Sequence, residues 1–151
     1  MNIRLATIND ADCLAKLFWE HNNEFEPHNP VDKGVFVSEC AKNIKHRLGN
    51  DLYCWVAQSN ERIVAHANVI VAQKIPKPGK IIRRWGRLST VRTIPEFRNQ
   101  GIGGKLMERI TSWCHEQGFE ELLVGPSEKS VAFYERSGFK HETDIMEMLF
   151  E

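Results

Sequence analysis

Three glycines within four positions, Gly101, Gly103 and Gly104, stand between Arg98 and Lys105 in the stretch PEFRNQGIGGKLMERI. Glycine lets a backbone approach a ligand closely and take conformations closed to other residues. An amphipathic run follows, so the loop opens a helix. The first N–H groups of a helix lack partners and point outward. With the helix dipole they favour an anion by roughly 0.3–2 kcal/mol, and Arg98 adds a full charge. The arrangement suits a pyrophosphate. Two familiar phosphate loops are excluded by spacing. The dinucleotide fingerprint G-x-G-x-x-G needs a glycine where Leu106 stands. The nucleoside-triphosphate loop G-x-x-x-x-G-K-[ST] needs a glycine at Asn99 and a hydroxyl at Leu106. The pattern that remains is [RQ]-x-x-G-x-[GA], met by Arg98-Asn99-Gln100-Gly101-Ile102-Gly103.

The elements around these residues follow from periodicity and punctuation. NIRLA alternates as a strand, and Asn9 or Asp10 caps a helix to about His21. NNEFEPHNP reads as a loop, and a second helix covers about Val35 to Leu48. LYCWVAQ and RIVAHANVIVAQ form a hairpin around SNER. A long strand of about Ile82 to Thr93 leads into the glycine loop and a helix of about Ile102 to Gln117, stopped by Gly118. ELLVG is an apolar strand, Ser127 to Ser137 a helix, and FKHETDIMEMLFE one or two closing strands. This order predicts a mixed sheet covered by helices, in one domain over residues 1–151.

The chain has 151 residues with 20 Lys+Arg against 20 Asp+Glu, so any anion site is local and nothing draws the molecule generally to nucleic acid or membrane. Cys13, Cys40, Cys54 and Cys114 are scattered without a C-x-x-C pair, which argues against a zinc knuckle and for reduced thiols in a cytoplasmic protein. No signal peptide or membrane-spanning run is evident, and no metal site is expected.

LSTVRTIPEFRNQGIGGKLM and LLVGPSEKSVAFYERSGF together resemble the GNAT superfamily of N-acetyltransferases, and the element order matches over nearly the whole chain. The resemblance implies an α/β (α+β) fold with a mostly antiparallel central sheet flanked by helices, in which the long strand before the loop bulges and splays from the strand after the helix to leave a cleft for acetyl-CoA. It implies that Val91, Arg92 and Thr93 present the backbone to the acetyl carbonyl and pantetheine arm. An amide near that carbonyl stabilises the developing oxyanion. Residues Arg98, Asn99, Gln100, Gly101, Ile102, Gly103, Gly104 and Lys105 would wrap the pyrophosphate. Ser127, where the family often has asparagine, and Ser130 and Phe133 would also face the cofactor; Phe133 and Phe139 read as core aromatics too. Tyr134 would protonate the departing thiolate, whose basicity is mild at a pKa of roughly 8.5. The implied reaction is direct attack by a primary amine of a small molecule or peptide in a ternary complex.

The base is the open position. At neutral pH a lysine amine is neutral only about once in a few thousand, a gap of roughly 4–5 kcal/mol, against about 1 kcal/mol for an α-amine. Histone-type relatives carry a glutamate where this chain has Arg87, which stays protonated and suits a carboxylate or phosphate on the acceptor instead. His66 reads first as a core histidine and Glu24 as a solvated charge, and a water chain is a further route for the proton. The Trp19–Pro30 stretch mixes aromatic and acidic groups that suit a cationic amine; its competing reading is a surface loop with Phe25 buried. A non-catalytic acyl-CoA sensor on the same fold is the alternative function, with the retained Tyr134 against it. A nucleic-acid role for the basic run Lys74 to Arg84 is weaker, since no aromatic residue interleaves it. The oligomeric state is open, a homodimer being common among members.

Overall fold

A computed structural model describes residues 1–141 and 144–150. Its sheet has five strands in chain order: β1 (Asn2–Leu5), β2 (Leu52–Ser59), β3 (Arg62–Gln73), β4 (Arg84–Thr93) and β5 (Phe119–Val124). The first four run antiparallel, and β5 lies parallel to β4. Helices α1 (Ala11–Phe25) and α2 (Lys33–Arg47) pair on one face, α3 (Ile102–Glu116) covers the other, and α4 (Val131–Arg136) follows β5.

The two faces fill by simple alternation. On α3, Ile102, Leu106, Met107, Ile110 and Cys114 recur at helical spacing and are buried. They meet a face that includes Gly86, where a Cβ would lie 2.9 Å from the Phe119 ring. The ring of Phe119 in turn packs on Trp113 at 5.2 Å. Leu14 and Leu17 of α1 and Ala41 and Ile44 of α2 close the opposite face. There Phe18 meets His66 of β3 at 5.2 Å between ring centroids.

One residue breaks the alternation. Ala67 pairs with Val91 and Asn68 with Ser89, so Thr90 is an extra residue in β4, held at φ 51°. A bulge of this kind shifts the side-chain phase of everything after it. Arg87 and Arg92, five positions apart, would alternate to opposite faces. With the bulge both lie on the α1 side, where Arg87 pairs across from Ile70 and Arg92 across from His66. Beyond Leu88↔Val124, β5 no longer accompanies β4, and the two strands part.

Several boundaries differ from the sequence expectation. α1 continues through Asn22 and Asn23 to Phe25, because the effective breakers are Pro27 and Pro30; the loop is shorter and Phe25 is 72% exposed instead of buried. β4 starts at Arg84, leaving Ile81 and Ile82 exposed in the turn. The helix expected from Ser127 begins as a 3₁₀ turn, Glu128–Ser130. The closing strand is not formed by 144–150, whose described residues lie outside the sheet; the part of that expectation on 142, 143 and 151 falls outside the described residues. A strand needs a partner, and among the described residues 144–150 pair with none. The basic turn is also tied down: Lys74 pairs with Glu121 at 2.8 Å and Arg83 with Glu120 at 2.9 Å, so β5 neutralises much of the charge a nucleic acid would have met.

Candidate active site

The glycine loop shows why each glycine is there. Asn99 and Gly101 have φ 62° and 78°, so the chain turns through the left-handed region twice before α3. Gly101 caps the helix without a side chain, and the first i→i−4 bond runs from the Lys105 amide to its carbonyl at 3.2 Å. The amides of Ile102, Gly103 and Gly104 precede that bond. At Gly103 a Cβ would stand 3.3 Å from the Phe133 ring, so this glycine admits α4. At Gly104 a Cβ would meet nothing within 4 Å, and the surface is open to a ligand. Gly104 and Phe133 line a cavity of about 220 Å³ between α3 and α4. Unpaired amides, an open glycine and the exposed Lys105 ammonium fit a pyrophosphate.

Arg98 sits otherwise than the sequence suggests. Its Nε donates to the Thr93 carbonyl at 2.8 Å, and its Nη2 to both oxygens of Glu24 at 3.1 Å. Its guanidinium is therefore engaged by Glu24 and Thr93, and Lys105 is the loop's exposed cation without an ion pair among the described residues. Glu24 also accepts from Arg92. The carboxylate is exposed but doubly paired: hydrogen bonds from Arg92 and then Arg98 hold its pKa below the usual glutamate range despite the opposing desolvation. Arg92 is 7% exposed. Stability from Glu24 is present above the unfolded glutamate pKa and is lost as pH falls through the lowered folded value. Glu24→Gln is expected to cost about 2 kcal/mol, below the 3–5 kcal/mol of a fully buried pair because Glu24 is partly exposed. Urea unfolding at neutral pH checks it, and the deficit should vanish at acid pH.

The parted strands form the cleft. Its walls are Ile70, Arg87, Leu88, Ser89, Thr90 and Gly125, around about 340 Å³. The Arg87 guanidinium reaches to 3.5 Å from where a Gly125 Cβ would be. From Ser89 to Thr93, β4 has β3 on one side and, among the described residues, no strand on the other. Val91 and Thr93 are half-buried on that stretch. Ser127 and Ser130 bond to each other, Oγ to Oγ at 3.0 Å, past the end of β5. Tyr134 is 9% exposed, wedged edge-on between Phe133 at 5.0 Å and Phe139 at 5.6 Å. Burial raises its pKa, which keeps the phenol protonated and able to donate. It stands by Val124 and Pro126 at the β5–α4 corner and does not line the Arg87 cleft itself.

The remaining candidates are set aside by their surroundings. His66 is 1% exposed with neither ring nitrogen bonded, and burial, with Arg92 and His21 adding, lowers its pKa to about 3. A group that weakly basic takes no proton from an amine. Burial pushes the Cys54 thiol up to about 12 and Cys114 to about 11, and neither lines the cleft. Sequence reasoning missed the Arg92–Glu24–Arg98 clamp, for which the unusual pair of arginines on one strand was the available signal; the bulge that the resemblance implied in this strand falls at Thr90.

A parted β4–β5 pair beside a glycine loop that opens the next helix offers a cleft and an anion-favouring helix start to one ligand. Residues 12–139 match the family model described as the Acetyltransferase (GNAT) family. The chain belongs to that family and is an N-acetyltransferase; GNAT acetyltransferases use acetyl-CoA. Among its relatives is a glucosamine 6-phosphate N-acetyltransferase of Trypanosoma brucei brucei, 28% identical over 117 residues, 77% of each chain. The fold also matches a predicted acetyltransferase with acetyl-CoA from Clostridium acetobutylicum, at TM-score 0.79 and 21% identity, over 98% of this chain and 95% of that one. An aminoglycoside acetyltransferase from an uncultured soil metagenomic sample, in complex with sisomicin, matches at TM-score 0.76 and 19% identity, over 99% and 95%. No helix of the described residues is long and apolar enough to cross a membrane.

Proposed function

We propose that this enzyme transfers the acetyl group of acetyl-CoA to the primary amine of a small acceptor that also carries a phosphate or carboxylate, an amino-sugar phosphate being the leading candidate. The observation that carries this is Arg87. It is an exposed cation on the cleft wall, without an ion pair among the described residues, beside the bulge where β4 and β5 part. An arginine fork matches a phosphate or carboxylate in two parallel bonds. The relative from Trypanosoma brucei brucei, with its phosphorylated amino sugar, supports the same class.

The chemistry agrees with the absence of a base among the cleft residues. None of the six lining side chains is a carboxylate or imidazole. An amine flanked by hydroxyl-bearing carbons is less basic than that of lysine, because its neighbours withdraw charge, so a larger share is neutral without help. The thioester of acetyl-CoA supplies the activated acyl group. The residues of this chain hold and orient: the Ile102–Gly104 amides and Lys105 take the pyrophosphate, the backbone from Val91 to Thr93 takes the arm and carbonyl, and Tyr134 gives a proton to the leaving sulfur. Buried, weakly acidic cysteines speak for direct transfer in a ternary complex over a thioester relay. Four unpaired thiols also suit the cytoplasm. A silent sensor would have no use for a protonated phenol at that corner.

The test is thiol release across amino-sugar phosphates, unphosphorylated amino sugars, aminoglycosides and peptide amines. The phosphorylated sugars should show the highest kcat/KM. Arg87→Ala should raise KM for them at least tenfold, about 1.4 kcal/mol, and leave that of unphosphorylated acceptors unchanged. Equal losses on both sets would remove the anion assignment.

A further inference from the structure

Trp85 is a large side chain that the core leaves out. It is half-buried on β4, is absent from the apolar side chains packed on the core, and its indole has no ring contact or hydrogen bond among the described residues. Tryptophan is on average highly buried, so an indole left on a sheet face is informative. Arg87 stands two residues further along the same strand. The ladder with β3 runs without a shift from Ala72↔Trp85 to Ile70↔Arg87, so indole and guanidinium share the α1 side, roughly 7 Å apart along β4. Opposite Trp85 there is only the methyl group of Ala72, and opposite Arg87 stands Ile70, 37% exposed on the cleft wall. On its other flank Trp85 pairs with Glu121, whose carboxylate meets the Lys74 ammonium at 2.8 Å. The indole is thus open to a ligand and rimmed by charge.

Along β4 the order is the Thr90 bulge, then Arg87, then Trp85. An acceptor with its amine at the bulge and its phosphate on Arg87 points whatever lies beyond the phosphate at the indole. A terminal phosphate ends at Arg87 and leaves Trp85 without a role. We propose that the acceptor is an amino sugar whose phosphate is linked onward to a nucleoside, with the base stacked on Trp85. The proposal rests on the anion assignment of Arg87. A base suits the place because it offers a flat π face to the indole and a polar edge to the Lys74–Glu121 pair. Stacking of this kind tolerates any base, since every base has a π face. A lipid tail in the same position would need a continuous apolar wall, and Lys74, Arg87 and Glu121 interrupt it.

Thiol release with acetyl-CoA fixed, on glucosamine 1-phosphate and on uridine diphosphate-linked glucosamine, tests this. The linked sugar should have a kcat/KM higher by at least about tenfold, the scale of one base stacked on an aromatic ring. Trp85→Ala should lower kcat/KM, through KM, at least about tenfold more for the linked sugar than for the simple phosphate. Trp85→Phe should keep most of the difference, because a ring remains. Arg87→Ala should lower both acceptors. A loss on both in Arg87→Ala, with no gain from the nucleoside in the parent, overturns this proposal and leaves the anion assignment standing. No loss on either acceptor in Arg87→Ala removes the anion assignment, and this proposal with it. A second arm needs no variant. Uridine diphosphate alone should inhibit the parent competitively against glucosamine 1-phosphate and not against acetyl-CoA. Absence of inhibition, or competition with acetyl-CoA only, sinks the nucleoside site even if Trp85→Ala misfolds.

Discussion

Gly101→Glu is expected to weaken acetyl-CoA binding at least a hundredfold while leaving the protein folded. The two halves of this expectation have separate causes. A side chain at Gly101 meets no atom within 4 Å, so there is no clash. The cost to the fold is the left-handed conformation at φ 78°, about 1–2 kcal/mol for a residue with a Cβ. A carboxylate at the start of α3 offsets roughly 0.3–1 kcal/mol of it through the helix dipole. The same carboxylate sits where the pyrophosphate belongs. At an effective dielectric near 20, two like charges about 4–6 Å apart repel by roughly 3–4 kcal/mol, which is at least a hundredfold in affinity. Isothermal titration with acetyl-CoA, set beside thermal unfolding, separates the two. Gly101→Asn is the control, since asparagine tolerates this conformation and adds no charge; it should bind nearly as the parent does. Equal losses in both variants would mean that strain, and not charge, carries the effect.

Tyr134→Phe is expected to lower kcat about a hundredfold with acetyl-CoA affinity nearly unchanged. Loss of a general acid costs typically 10²–10⁴-fold. The low end applies because a thiolate is a mild base and departs partly unaided. Among the described residues the phenol hydroxyl has no hydrogen-bond partner, so removing it leaves the packing against Phe133 and Phe139 intact. Because burial raises this pKa, deprotonation of Tyr134 should add no falling limb to the rate below the pH at which an ordinary phenol ionises. Stopped-flow thiol release on both proteins measures the ratio. Full turnover by the phenylalanine variant would end the acid assignment.

The glycine loop was legible because its physics is local. Spacing alone identified a glycine loop that opens a helix, and the element order up to α4 followed from period and punctuation. What stayed illegible was non-local. Arg98 reads as a phosphate anchor until Glu24, 74 positions earlier in the chain, is seen to hold it. Gly103 reads as a ligand contact, yet its lack of a side chain serves Phe133. The strand expected at the end has the right pattern, yet among the described residues 144–150 pair with no strand, and pattern does not report the neighbour. Thr90 carries no glycine or proline to announce a bulge, so the residues alone did not give its position, and strict alternation would put those after it on the wrong faces.

That extra residue bears on what kinds of change β4 can absorb. A strand without a bulge cares which side chains it holds; this one also depends on how many residues it has. Substitution at Thr90 alters one side chain, whereas loss of the position exchanges the faces of everything from Val91 to Thr93. Arg92 would turn from Glu24 into the packed side under α3, and Val91 would take its place among the charges. The spacing between Arg87 on the cleft wall and Arg92 clamped to α1 is set by chain length, not by composition. Homologous strands in which this count differs would keep the fold only by rebuilding one face of the sheet.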